Sequence, residues 1–60
     1  MPVVIVEMWE GRTVDQKRQL AEGITSSFVK LGTPAEAVHV IMKDIPKQNW
    51  AIGGKLASER

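Results

Sequence analysis

Pro2, directly behind the start methionine, is the residue of this sixty-residue chain whose chemistry depends most on its neighbour. Aminopeptidases remove a start methionine when a small residue follows, and Pro2 would then present a free secondary amine. An α-amino group has a reference pKa of about 7.7 to 8.0, lowered by burial or a nearby guanidinium, so it is partly neutral at pH 7 and can take and return protons. With Met1 retained, the Pro2 nitrogen is a tertiary amide without a basic lone pair, and Pro2 only starts a strand, where its missing N–H is tolerated. The dipeptide alone leaves both readings open. Other side chains could serve such a base. Arg12 offers a planar guanidinium that can bond both oxygens of a carboxylate, or is a solvated arginine between a turn glycine and a helix cap. Trp50, among polar loop residues, reads as an interface or core aromatic, an anchor for another subunit. Trp9 reads as packing, and His39, the only histidine, as a polar residue of an alternating strand.

Eight basic and seven acidic residues are scattered and leave a net charge of +1, so no charged stripe for nucleic acid or anionic lipid is present. The start MPVVIVEMWE lacks a basic flank and meets acidic residues at once, which fits neither a signal peptide nor a membrane span and makes the cytoplasm the expected location. With no cysteine and one histidine, neither a disulfide framework nor a metal cluster can be assembled. A chain this short forms one domain, residues 1–60, with a small core, and its hydrophobic fraction of 43% is that of a packed object. Self-association is the remaining route to stability, so a homo-oligomer is expected.

The elements that must position these residues read as strand, helix, strand and a turn-rich tail, an α+β subunit. Val3 to Trp9 is apolar on both alternate sets, Val4, Val6 and Met8 against Val3, Ile5 and Trp9, as in a strand covered on both faces. Thr13-Val14-Asp15-Gln16 has the form of a capping box, and Leu20, Ala21, Ile24, Phe28 and Leu31 recur at helical spacing until Gly32 offers a stop. A second capping pattern, Thr33-Pro34-Ala35-Glu36, predicts an extra turn with Pro34 at a first helical position. Val38 to Ile45 reads as the second strand. A helix of roughly eighteen residues spans about 27 Å, enough to return the chain for parallel pairing of the two strands in a right-handed β-α-β unit. Beyond Pro46 the chain reads as a loop and a tight turn at Gly53-Gly54, outside the core.

Taken together, Met1-Pro2 on a strand, Glu10-Gly11-Arg12-Thr13 at its exit, Gln16-Lys17 in the first helical turn and the run from Asn49 to Leu56 closely resemble the 4-oxalocrotonate tautomerase family, over essentially the whole chain. The resemblance implies small β-α-β subunits with a C-terminal turn or hairpin, commonly hexamers built as trimers of dimers. It also implies tautomerisation, without metal or cofactor, of enols of 2-oxo acids such as 2-hydroxymuconate in aromatic-compound breakdown. In that family Pro2 would be the base, Arg12 would grip the remote carboxylate, Trp50 would wall an active site at a subunit interface, and Trp9 would turn a backbone N–H toward the substrate. His39 departs from the pattern. The best-studied members carry an arginine there that polarises the 2-oxo group, and histidine supplies no permanent charge at neutral pH. That departure bears on the natural substrate more than on the reaction type.

Two further readings stand beside this one: a dehalogenase or decarboxylase of the same superfamily using Pro2 differently, and a non-enzymatic assembly module. Retention of Met1 would favour the last.

Overall fold

The computed structural model describes all residues, 1–60. Strand β1, Val3–Trp9, and strand β2, His39–Ile45, pair in parallel with unbroken register from Val3 opposite His39 to Trp9 opposite Ile45. The expected start at Val38 moves one residue because the Val38 N–H closes the preceding turn on the Ala35 carbonyl at 3.1 Å, so the ladder begins at His39.

Parallel neighbours need a crossover, and helix α1, Val14–Val29, supplies it. Its sixteen residues give about 24 Å, matched to a seven-residue strand of about 23 Å. The capping box forms: Gln16 N–H donates to Thr13 Oγ1 at 3.2 Å, and Thr13 N–H donates to Gln16 Oε1 at 3.0 Å. At the far end, Gly32 N–H returns to the Val29 carbonyl and Thr33 N–H to the Phe28 carbonyl, with Gly32 at φ 98°, where a side chain would be strained. The helix is therefore two residues shorter than the periodicity suggests, Leu31 lying in the terminating turn at 80% exposure. The second capping pattern does not form. Residues Ala35–Ala37 make a single 3₁₀ turn in which the Pro34 carbonyl accepts the Ala37 N–H, and Pro34 flanks the turn without a side-chain cap.

The C-terminal segment is more structured than a loop. After a 3₁₀ turn at Lys47–Asn49, strand β3, Ala51–Ile52, pairs antiparallel with strand β4, Lys55–Leu56. Gly53 and Gly54, at φ 60° and 82°, supply the two left-handed positions that such a two-residue hairpin requires. The final turn, Ala57–Glu59, begins with Ala57, whose N–H donates to the Trp50 carbonyl at 2.7 Å. Ala57 and Met8 are the only buried residues of the subunit, so the tail furnishes half of its small core. The small side chain of Ala57 permits that close approach, which hydrophobic periodicity does not register.

One sheet face, carrying Val4, Val6, Met8, Val40 and Met42, is half-buried or buried on the helix side, with the Lys17–Asp44 ion pair joining α1 to the end of β2. The other face is bare: Val3, Ile5 and Ile41 are about half exposed. The subunit's accessible surface is 4588 Å², against roughly 3,900 Å² for a compact monomer of this mass. No helix is long and apolar enough to cross a membrane.

Candidate functional site

Pro2 sits just before β1, half-buried, and its carbonyl accepts the His39 backbone N–H at 2.9 Å. The strand thus holds Pro2 through its carbonyl and leaves the nitrogen outside the ladder. Met1 is 88% exposed and lies outside any regular element, so the fold rests little on it. His39 stands opposite Val3 in the register. By the two-residue pleat its exposed side chain shares the bare face with Val3, Ile5 and Ile41, whereas Pro2 falls on the helix-side set with Val4. Within one subunit His39 therefore meets Pro2 through the backbone.

A second group forms at the other end of β1. The Trp9 and Trp50 rings meet edge to face, with centroids 5.7 Å apart and planes at 73°. Such a pair adds about 0.5 to 1.5 kcal/mol beyond the area it buries. Arg12, exposed, donates from Nη1 to the Trp9 carbonyl at 3.3 Å, which orients the guanidinium at the strand exit. Trp50 is fixed from both sides, its N–H donating to the Lys47 carbonyl and its carbonyl accepting from Ala57. Lys47 was not among the residues expected from sequence, yet its Nζ lies 4.9 Å from the centroid of the Trp9 ring. Its only sequence signal was a basic residue three positions ahead of Trp50. Trp9 Nε1 is buried with no hydrogen-bond partner, an unmet donor that normally costs about 1 to 3 kcal/mol.

The candidate residues thus fall into two groups. Trp9, Trp50 and Arg12 come together, Pro2 and His39 are joined through the backbone alone, and the length of β1, about 23 Å, lies between the groups. A shallow concavity lined by Ala21, Glu22, Thr25, Ser26 and Val29 of α1 contains none of them. No three His, Cys, Asp or Glu side chains converge as metal ligands would. A six-carbon diacid is on the order of 8 Å long and cannot touch Pro2 and Arg12 of the same chain.

The β-α-β topology has a direct counterpart among known proteins. A family model described as tautomerase enzyme matches residues 2–60. The chain belongs to the tautomerase family. This tautomerase is 44% identical over its whole length to a probable tautomerase of Lactococcus lactis, also covered in full. It is 40% identical to a 2-hydroxymuconate tautomerase of Comamonas testosteroni, over 98% of this chain and 95% of that one. Among solved structures it superposes on a heterohexamer 4-oxalocrotonate tautomerase from Chloroflexus aurantiacus with a TM-score of 0.89, 28% identity, and coverage of 98% and 97% of the two chains. The tautomerase is thus an isomerase of the 4-oxalocrotonate tautomerase type.

Proposed function

We propose that this tautomerase interconverts the enol and keto forms of 2-oxo acids related to 2-hydroxymuconate, with the amine of Pro2, freed by loss of Met1, as general base. The observation that carries the reading is the tether of Pro2 through its carbonyl, which leaves its nitrogen unused by the sheet behind an exposed Met1. In the forward direction the neutral nitrogen takes the proton of the 2-hydroxyl. The O–H electron pair becomes the C=O bond, the conjugated double bonds shift, and a distal carbon takes the proton back from the prolinium, which restores the amine. A cation beside the developing oxyanion lowers the barrier.

The two groups on β1 belong to different sites in this reading: Pro2 of one copy faces Arg12, Trp9 and Trp50 of another, and His39, whose side chain lies on the sheet face opposite Pro2, reaches the site from a neighbouring copy. Arg12 holds the remote carboxylate, Trp50 excludes water, Trp9 turns a backbone N–H toward the substrate, and His39 takes the arginine's place near the 2-oxo group without its permanent charge. The bare sheet face and the excess surface support self-association, and a homohexamer assembled as a trimer of dimers belongs to the same proposal. So do a single domain over 1–60 and a cytoplasmic role in aromatic-compound breakdown.

The test is intact-mass measurement coupled to assays with phenylenolpyruvate and 2-hydroxymuconate. The expected result is a chain lacking Met1 that turns over at least one of the two. Full activity of a chain that keeps Met1, or a processed and assembled protein inert toward both, would overturn the reading.

A further inference from the structure

Arg12 and Lys47 converge on one residue. The guanidinium donates to the Trp9 carbonyl and the ammonium lies over the Trp9 ring. Lys17 and Arg18 are ion-paired with Asp44 and Asp15, but Arg12 and Lys47 have no carboxylate within salt-bridge distance: Glu10, the acid nearest Arg12 in sequence, pairs with neither, and Asp44, the acid nearest Lys47, is taken by Lys17. Two unpaired cations held at one residue, one on its backbone carbonyl and one over its ring, attract an anion to this end of β1. The unmet Trp9 Nε1 donor at the same place shows that the polar groups there are not satisfied within the subunit. Lys47 is also joined to the pocket wall, because its carbonyl accepts the Trp50 N–H at 3.2 Å at the end of the 3₁₀ turn.

We propose that Lys47 is a second cation of the remote-carboxylate subsite and sets the preference of the enzyme for diacid over monoacid substrates. The proposal rests on the reading above that Arg12 binds the remote carboxylate. The two cations differ in what they supply. Arg12 fixes the carboxylate plane with paired N–H donors, whereas the Lys47 ammonium, a point charge on a flexible stem, adds attraction without a fixed direction. Its removal should therefore weaken binding of the second carboxylate without disturbing proton transfer at the far end of the substrate.

The test uses the assembled protein. Trp9 and Trp50 are the only tryptophans of the chain, so their fluorescence reports directly on this end of β1. Adipate and hexanoate, six-carbon acids with two carboxylates and one, are titrated against wild type, Lys47→Gln and Lys47→Met, the last keeping the apolar stem over Trp9 while losing the charge. Both variants should weaken adipate binding about three- to tenfold and leave hexanoate unchanged, with Lys47→Arg close to wild type. In turnover, KM for 2-hydroxymuconate should rise by the same factor at constant kcat. Equal weakening of both acids would assign Lys47 to packing alone and overturn the proposal, as would an unchanged adipate affinity in both variants. A wild type that binds adipate in a Lys47-dependent way but turns over no enol would instead sink the proton-transfer reading and keep the subsite.

Discussion

The backbone N–H of His39 donates to the carbonyl of Pro2 at 2.9 Å, which carries the β1–β2 ladder one residue beyond Val3. The bond uses the atom of Pro2 that proteolytic removal of Met1 does not touch. A mature N-terminus would therefore keep its place in the fold while its nitrogen changes from an amide to an amine.

Replacement of Pro2 follows from this geometry. Pro2→Ala keeps the carbonyl, so assembly and the far-UV spectrum should match wild type. A primary amine differs in basicity and placement, and kcat on phenylenolpyruvate should fall about a hundredfold or more. Steady-state kinetics on protein of verified mass checks this, and an unchanged kcat counts against Pro2 as the base.

The bare sheet face sets a second expectation. Ile5 is 55% exposed in the subunit and points away from α1. A carboxylate at Ile5→Asp would be buried unpaired by any neighbouring copy, so the variant should dissociate and lose its folded structure together. Wild-type unfolding should also depend on protein concentration. Sedimentation of a folded monomer at micromolar concentration, in either protein, would contradict both statements.

Arg12→Ala should separate the two ends of the substrate. Loss of a charge-assisted contact of about 1.5 to 3 kcal/mol raises KM for 2-hydroxymuconate roughly ten- to a hundredfold. The monoacid phenylenolpyruvate lacks the second carboxylate and should show a much smaller change. Parallel losses on both substrates would place Arg12 in the scaffold instead, through its bond to the Trp9 carbonyl.

His39 lies on the face that a neighbour would cover, where a permanent charge would have consequences. His39→Arg should raise kcat on 2-hydroxymuconate, because positive charge acts most strongly where the oxygen is most negative, in the transition state. His39→Ala should lower it. If both variants leave kcat unchanged while still assembling, His39 is a strand residue remote from the chemistry.

Several parts of the fold governed by short-range rules were legible in the residues, although the second cap at Thr33 does not form. Thr13 and Gln16 announced their reciprocal cap, Gly53-Gly54 its tight turn, and the apolar run from Val3 to Trp9 its strand, since each depends on neighbours a few positions away. Contacts made across the chain were not. Nothing near Ala57 in sequence marks it as buried and bonded to the Trp50 carbonyl, and the ammonium of Lys47 reaches Trp9 across 38 positions because the turn at Lys47–Asn49 follows β2 at the same end of the sheet as Trp9. The candidate site was legible as a set of residue types, while its division between the two ends of one strand required the register of β1 with β2.

That division has a genetic consequence. A chain spoiled at Pro2 keeps its Arg12 end intact, and the reverse holds for a chain spoiled at Arg12, because about 23 Å of β1 separates them. If sites form between copies, a cell expressing both damaged alleles would rebuild working centres wherever the sound end of one product meets the sound end of the other, in about one case in four for random mixing. Either allele alone would leave every centre impaired.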